Sequence, residues 1–342
     1  MQRQLTDREK QVLQALIDHY ITTAKPVGSR TMELRYSLGI SAATIRNTMA
    51  DLEELGLITH LHTSAGRIPT DQGYRVYVDS LIKPQKLSHL DQQRIKSAMK
   101  SEDLALGSIL EQTSRVLAYI SDQLGVTIAP KFEAGILTRI TMVPVAEKRV
   151  LIVIAMKSGL VRSIVIEVRS HLAPEMIEKT ASLLTERLTG CSLGQVRSTI
   201  RERLEGMSDG DPILLDLFMD SCEEILSERL SEDIHFDGTA NLAKYPEFSN
   251  INQFSRVIGM VEDRTFLARI IASGGVSEGT NITIGQELDS DQMRSMSLVS
   301  APYGAGKQKG VLGVIGPTRM PYSKIVSVVD FTAKLLSRML SR

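Results

Sequence analysis

One segment of this chain limits its possible folds more than any other: SAATIRNTMADLEELGLI at residues 41–58, followed by HTSAGRIPTDQGYR at residues 62–75. In the first segment, apolar residues recur at helical spacing, Ser41 is a good N-cap and Gly56 a good helix stop. After Gly56, apolar and polar residues alternate, a turn sequence follows, and RIP continues as a short return strand. The segment therefore predicts a capped amphipathic helix that leads directly into a small β-hairpin.

The elements on either side complete a familiar order. Thr6-Asp7-Arg8-Glu9 has the capping-box pattern at the start of a first helix, and TAKPVG ends that helix. SRTMELRY fits a short second helix, and Thr70 or Asp71 is placed to cap a fourth, DQGYRVYVDSLI. Two helices, a turn, a third helix and then a hairpin is the order of a winged helix-turn-helix. We predict this fold for residues 1–84.

The outer face of the third helix has residue types that fit a DNA groove. Ala43 and Ala50 are small enough for close approach, Asn47 can bond adenine, and Arg46 can bond guanine. The N-terminus of a helix offers free N–H groups and a positive dipole to phosphates, whereas the acidic residues lie at the other end. The predicted DNA-binding residues are Ser41, Thr44, Arg46 and Asn47 on the helix, and Thr63, Ser64 and Arg67 on the hairpin.

An ordinary amphipathic helix with a solvated outer face has the same pattern. The hairpin that follows favours DNA contact, because a wing can reach the DNA backbone or minor groove. Residues 1–83 contain ten Lys or Arg and nine Asp or Glu, a net charge of +1. With so little local charge, we expect affinity to depend on two copies binding together.

The remaining sequence predicts a sheet domain interrupted by a helical block. Two helices are predicted after residue 85, near Leu87–Met99 and Leu104–Leu124, and then three antiparallel strands, ILTRITMVPV, RVLIVIAMK and VRSIVIEVR. Helical patterns dominate residues 172–249. Strands return at NITIG, MRSMSLVSAPYG and GVLGVIGP, before a last helix from about Tyr322 to Leu340. The predicted class is α+β, with the sheet domain divided between residues 85–171 and 250–342.

Composition excludes several classes of protein. The apolar fraction is 42%, enough for real cores, and 40 basic residues balance 40 acidic ones. No apolar stretch has the length of a membrane span, and the first residues lack the apolar run of a secretory signal. The two cysteines, Cys191 and Cys222, have no CxxC spacing and fit reduced thiols. We therefore expect a cytoplasmic protein without a membrane segment.

Several motifs suggest catalysis or metal binding but are incomplete. Tyr303-Gly304-Ala305-Gly306-Lys307 fails as a phosphate loop because Gln308 stands where Ser or Thr would hold magnesium, and it joins two strands. A hairpin turn is the better interpretation. His60 and His62 could share one face of a strand, but a role in the wing is favoured over a metal site. We predict no catalytic residue, no cofactor and no metal, and therefore not an enzyme.

SAATIRNTMADLEELGLI followed by HTSAGRIPTDQGYRVYVDSL resembles the heat-inducible transcription repressor family HrcA. The resemblance extends over the whole chain in length and block order, and its specific motifs lie in residues 28–82. It implies a winged-helix domain, a GAF-like domain for the predicted sheet, and a dimerisation domain inserted into it. It assigns recognition to Ser41, Thr44, Arg46 and Asn47, with Arg67 on the wing.

The family resemblance also implies partners. It implies repression of heat-shock chaperone operons by a homodimer on an inverted-repeat operator, with a GroEL-type chaperonin keeping the repressor active until heat stress. We expect the dimer contact in the helical block, whose apolar residues could equally form only its own core. These are Leu183, Leu184, Leu188, Ile213, Leu214, Leu217, Phe218, Ile225 and Leu226. The alternative is a regulator that senses a small effector in the GAF-like domain.

Overall fold

The computed structural model describes residues 3–60, 66–99, 106–130, 135–157, 159, 161–168, 172–205, 210–226, 234–273, 279–288, 290–305 and 308–340. The helices are α1 (Asp7–Thr23), α2 (Ser29–Arg35), α3 (Ala42–Glu54), α4 (Asp71–Val76), α5 (His89–Ala98), α6 (Leu106–Ser121), α7 (Pro174–Leu188), α8 (Leu193–Leu204), α9 (Pro212–Leu226), α10 (Thr239–Leu242), α11 (Ile251–Glu262), α12 (Arg264–Ser273) and α13 (Tyr322–Leu340). The strands are β1 (Ile58–His60), β2 (Arg67–Pro69), β3 (Leu124–Ile128), β4 (Leu137–Ala146), β5 (Arg149–Met156), β6 (Val161–Glu167), β7 (Ile234–Asp237), β8 (Asn281–Ile284), β9 (Met296–Ala305) and β10 (Gln308–Pro317).

The N-terminal unit is the predicted winged helix-turn-helix. Thr6 and Glu9 form the capping box of α1, and the Ser41 side chain caps α3. Gly56 follows α3 with φ +71°, a left-handed backbone that favours glycine and stops the helix. Thr70 caps α4, which continues as a π-helical turn over Tyr77–Leu81. The local signals in the sequence therefore place these elements correctly.

The sheet domain is built on a five-stranded antiparallel sheet in the order β7-β3-β10-β9-β8. Helices α6 and α13 pack on one face, and the apolar residues of α10, α11 and α12 cover the other. The predicted strands β8, β9 and β10 and the predicted helices α5, α6 and α13 are confirmed. Strands β3 and β7 were not predicted, because LGVTI directly follows a helix and IHFD lies within a polar segment.

The structure groups the middle of the chain differently from the sequence prediction. Strands β4, β5 and β6 form a separate three-stranded sheet, and their inner residues share one core with α7, α8 and α9. The chain leaves the five-stranded sheet after β3 and returns at β7, where Ile128 pairs with Ile234. The inserted unit therefore extends from about residue 135 to 226, not 172–249. Strands β4–β6 belong to it because their hydrogen bonds join them to one another in a sheet of their own.

The apolar residues predicted for the dimer contact mostly form the core of this inserted unit. Leu184, Leu188, Leu214 and Phe218 are fully buried within it. Leu183 and Leu217 are half-buried, and Ile213 is exposed. The side chains of Ile225 and Leu226 lie outside the described part of the chain. The helices therefore bury most of this apolar surface within their own unit.

The winged-helix unit and the sheet domain share a continuous core. One apolar cluster runs from Leu13 and Leu52 to Tyr322 and Val328 of α13. Polar contacts join the same two units: Arg75 Nε donates to Glu287 Oε1 at 2.8 Å, and Arg319 Nη1 donates to the Ile21 carbonyl at 3.1 Å. The sheet domain thus holds the helix-turn-helix in a defined orientation.

Candidate nucleic-acid interface

Helix α3 presents one polar face to solvent. Ile45, Thr48, Met49 and Leu52 are buried, as the helical spacing predicts. The opposite side exposes Ser41, Ala43, Arg46, Asn47, Ala50, Asp51 and Glu54, whereas Thr44 is half-buried. The structure therefore brings Ser41, Arg46 and Asn47 together on one accessible surface, with small residues between them.

The N-terminal tip of α3 uses two of its N–H groups internally. Ser41 Oγ accepts a hydrogen bond from the Thr44 N–H at 3.2 Å, and the two side-chain hydroxyls lie 3.0 Å apart. The Ala42 N–H donates to Glu33 Oε1 at 2.8 Å, across the turn from α2. The sequence alone predicts that these N–H groups are free for phosphate. They are instead occupied by a cap and a carboxylate, because the turn brings α2 against the start of α3.

The wing begins as a three-residue ladder beside α1 and α3. Ile58, Thr59 and His60 pair with Pro69, Ile68 and Arg67. The backbone of Arg67 also exchanges two hydrogen bonds with Val27, at 2.9 and 3.0 Å, so the segment ahead of α2 joins the ladder through an isolated bridge. Thr63 and Ser64, predicted to contact DNA from the wing, lie outside the described residues, as does His62.

Arg67 is placed at the base of the wing and is paired there. Its Nη2 lies 2.7 Å from Glu53 Oε2, and His60 Nδ1 lies 2.5 Å from the other oxygen of the same carboxylate. The Arg67 Nε is buried and has no hydrogen-bond partner among the described residues. Glu53 therefore ties the C-terminal half of α3 to both wing strands.

This pairing changes the interpretation of the acidic end of α3. Asp51 and Glu54 are exposed, which is typical of acidic residues on a solvated helix end. Glu53 is instead turned toward the wing, and the hydrogen bond from His60, together with the charge of Arg67, lowers the pKa of its carboxyl. Nothing in the sequence separates Glu53 from its acidic neighbours, because its partners lie seven and fourteen residues further along the chain.

Replacing Glu53 with Gln is expected to lower the free energy of unfolding by about 1 kcal/mol at neutral pH, a magnitude reduced by solvent exposure of the pair. Since the pKa of Glu53 is lowered in the folded state, its contribution is present above the ordinary carboxyl pKa of 4.5 and is lost as pH falls through the lowered value. Urea unfolding at several pH values measures this. Glu54→Gln is the control; an equal loss in both variants would contradict a specific role for Glu53.

The Gly-rich segment lies at a hairpin, and Cys191 lies in an apolar core. Strands β9 and β10 pair continuously from Met296 and Pro317 to Ala305 and Gln308, which confirms a hairpin around the Gly-rich segment. Cys191 is a buried free thiol in the core of the inserted unit. Among the described residues, no three His, Cys, Asp or Glu side chains are grouped so that they could hold a metal. No helix in that part of the chain is long and apolar enough to span a membrane.

Comparison with known proteins identifies the family of this chain. Residues 4–80 match the family model for the winged helix-turn-helix transcription repressor, HrcA DNA-binding, and residues 107–326 match that for the HrcA protein C-terminal domain. This chain belongs to the HrcA family. The first match covers the winged-helix unit described above, and the second covers most of the sheet domain with its insertion.

Full-length relatives support the same assignment. The heat-inducible transcription repressor HrcA of Pelotomaculum thermopropionicum is 37% identical over 339 residues, covering 99% of this chain and 97% of the relative. That of Geobacter sulfurreducens is 36% identical over 340 residues, with 98% of each covered. A crystal structure of a hypothetical protein, 26% identical, aligns over 99% of both chains with a TM-score of 0.67. The chain is therefore a heat-shock transcription repressor with a winged-helix DNA-binding domain.

Two residues of the candidate interface, Glu33 and Glu53, cannot be identified from the sequence. Glu33 is nine residues from the N–H group that it binds, in a different helix. Glu53 looks like one more acid on a solvated helix end. Both are recognised only when the folded chain brings α2, α3 and the wing together.

Proposed function

We propose that this HrcA-family chain represses chaperone operons in the cytoplasm as a homodimer that reads an inverted-repeat operator. The observation that supports it most directly is the accessible polar face of α3, in which small residues leave space around Arg46 and Asn47. A helix with such a face can enter the major groove, where Asn suits adenine and Arg suits guanine. Thr63 and Ser64 of the wing are the proposed backbone contacts, and Arg67, which Glu53 holds at the base of the wing, supports them with its positive charge.

Replacing Arg46 or Asn47 with Ala is expected to weaken binding to each half-site by roughly 1–3 kcal/mol and to relax base preference at one position. Both side chains are exposed, so neither change should affect folding. Titration of operator and unrelated DNA measures the ratio of specific to non-specific affinity. Arg256→Ala, an exposed arginine on α11, is the control for charge. An unchanged ratio in the α3 variants would refute this assignment.

We propose that the two copies meet through the open face of the β4-β5-β6 sheet. Its inner face is covered by helices, whereas Val143, Val145, Val161 and Val165 are 42–56% exposed. Val143, Leu151 and Val165 lie side by side across the three strands. An exposed apolar sheet face is typical of an interaction surface, and two half-sites related by a dyad require a two-fold symmetric partner. The partner is therefore a second copy of this chain.

We further propose that a GroEL-type chaperonin keeps the repressor active and that heat relieves repression when unfolded proteins occupy the chaperonin. The relatives' description as heat-inducible supports relief by heat. The test is footprinting of the inverted repeat upstream of chaperone genes, with and without purified chaperonin, after mild heating. Protection that returns only with chaperonin supports the proposal; protection that is the same in both samples contradicts it.

The alternative of a small effector in the GAF-like domain has no comparable observation in its favour. A pocket described there is open to solvent and lies where the linker to the winged helix meets α13, beside Gln85, Gln92 and Phe331. It is not enclosed by the five-stranded sheet. A metabolite that altered DNA affinity in the footprinting experiment without chaperonin would favour this alternative.

A further inference from the structure

Glu33 lies where α2, the first helix of the helix-turn-helix pair, meets the N-terminus of α3, the second helix. It lies in α2, its side chain is exposed, and its Oε1 accepts a hydrogen bond from the Ala42 N–H at 2.8 Å. Ala42 is the first residue of α3, so Glu33 binds the first N–H group of the proposed recognition helix. The contact places a carboxylate at the end of α3 that is proposed to face DNA.

A helix N-terminus normally attracts phosphate because its first N–H groups are unpaired and its dipole end is positive. Here the Ala42 and Thr44 N–H groups are taken by Glu33 and Ser41. The negative charge of Glu33 also offsets the positive end of the helix dipole and repels any phosphate that approaches. The tip of α3 is therefore a poor phosphate site, in contrast to what the sequence alone predicts.

We propose that Glu33 is a specificity-determining residue, which rests on the proposed function: it excludes DNA backbone phosphates from the tip of α3 and so reserves that tip for base edges. Phosphate contacts fix position but carry little sequence information, whereas base contacts discriminate between sequences. A tip that bound phosphate would hold α3 on the backbone of any duplex. Exposed Arg30, one turn earlier on α2, and Arg46 remain to supply attraction to the DNA.

The hydrogen bond and the charge can be separated experimentally. Glu33→Gln keeps an oxygen that can accept from the Ala42 N–H but removes the negative charge, whereas Glu33→Ala removes both. Glu54→Gln, an exposed acid at the other end of α3, makes the same charge change and is the matched control. Each full-length protein is titrated with the inverted-repeat operator and with an unrelated duplex of equal length, at several salt concentrations. Thermal unfolding of each variant is measured in parallel.

We expect Glu33→Gln to raise affinity for the unrelated duplex about fivefold for each copy of the chain that binds, the effect of removing one repulsion at short range in water. The change removes one negative charge beside the duplex in each copy of the chain, which should make the slope of log affinity against log salt steeper by about 0.9 per copy. Operator affinity should rise less, so the specificity ratio falls. Glu54→Gln should change none of these quantities by more than about twofold, since it lies away from the tip.

Two results would overturn the role of Glu33. One is an unchanged salt slope and specificity ratio in Glu33→Gln. The other is a loss of operator affinity alone with intact folding, which would mean that Glu33 itself reads a base. Failure of the proposed function is a separate outcome, because it appears in the wild-type titration as equal affinity for operator and unrelated DNA.

Discussion

A repressor carrying both Val143→Glu and Val165→Glu is expected to sediment as a monomer and to bind its inverted-repeat operator 10²- to 10⁴-fold more weakly, roughly the gain that linkage of two binding modules provides. The two valines lie on the open face of the three-stranded sheet, on either side of Leu151 in one cross-strand row. Carboxylates in the centre of an apolar interface lose their hydration without gaining a partner. Dissociation of the dimer follows.

The loss should be confined to bivalent binding. The winged-helix unit packs in a different apolar core from the substituted strands. Affinity for a single half-site should therefore remain close to that of wild type. Sedimentation equilibrium gives the oligomeric state, and titration with a single half-site and with the complete inverted repeat gives the two affinities.

Lys179→Glu is the control for the double valine variant. It makes the same change of two units in net charge at an exposed position on α7, which packs on the opposite side of the sheet. It should leave the dimer intact. If the valine variant also remained a dimer, the contact between copies would lie elsewhere and the role proposed for the sheet face would be wrong.

Replacing Gly73 with Ala is expected to destabilise the winged-helix unit by about 3 kcal/mol, although Ala is normally the better helix former. Gly73 lies within α4, where a β-carbon would stand 2.0 Å from the carbonyl oxygen of Leu57. The same carbonyl accepts from the Thr70 N–H at 3.1 Å, and the Thr70 hydroxyl donates to the Gly56 carbonyl at 2.6 Å. The new β-carbon would clash with a backbone atom, so no flexible side chain can move aside to make space.

Gly259→Ala is the matched control, since Gly259 lies within α11 and a β-carbon there meets nothing within 4 Å. It should stabilise the chain by about 0.5–1 kcal/mol, the ordinary helix preference. Urea denaturation followed by circular dichroism compares the two variants. A Gly73→Ala variant as stable as wild type would show that α4 can shift away from the α3–β1 turn at little cost.

The winged-helix unit could be predicted in detail because its signals are local. Thr6, Ser41 and Thr70 each cap a helix through hydrogen bonds to residues three positions later, and the buried stripe of α3 follows from helical geometry. Spacing of this kind is visible in a single sequence. The resemblance to the HrcA family rests on the same segment and is confirmed by the family match over residues 4–80.

The inserted unit shows where such signals stop. The sequence predicts strands β4–β6 correctly as an antiparallel meander but places them in the sheet domain that residues 250–342 complete. Their alternating pattern shows that one face is covered but does not show which helices cover it. One partner of β3 is β7, more than a hundred residues later, and that pairing defines the insertion.

The sequence by itself determined the order of the helices and wing, the polar face of α3 and the family, because periodicity, capping and turn chemistry act over a few residues. Only the tertiary structure decided that Glu33 binds the tip of α3, that Glu53 pairs with Arg67, and that an apolar sheet face is left open on the inserted unit. These contacts join residues from different elements. Their energies depend on distances that exist only once the chain is folded.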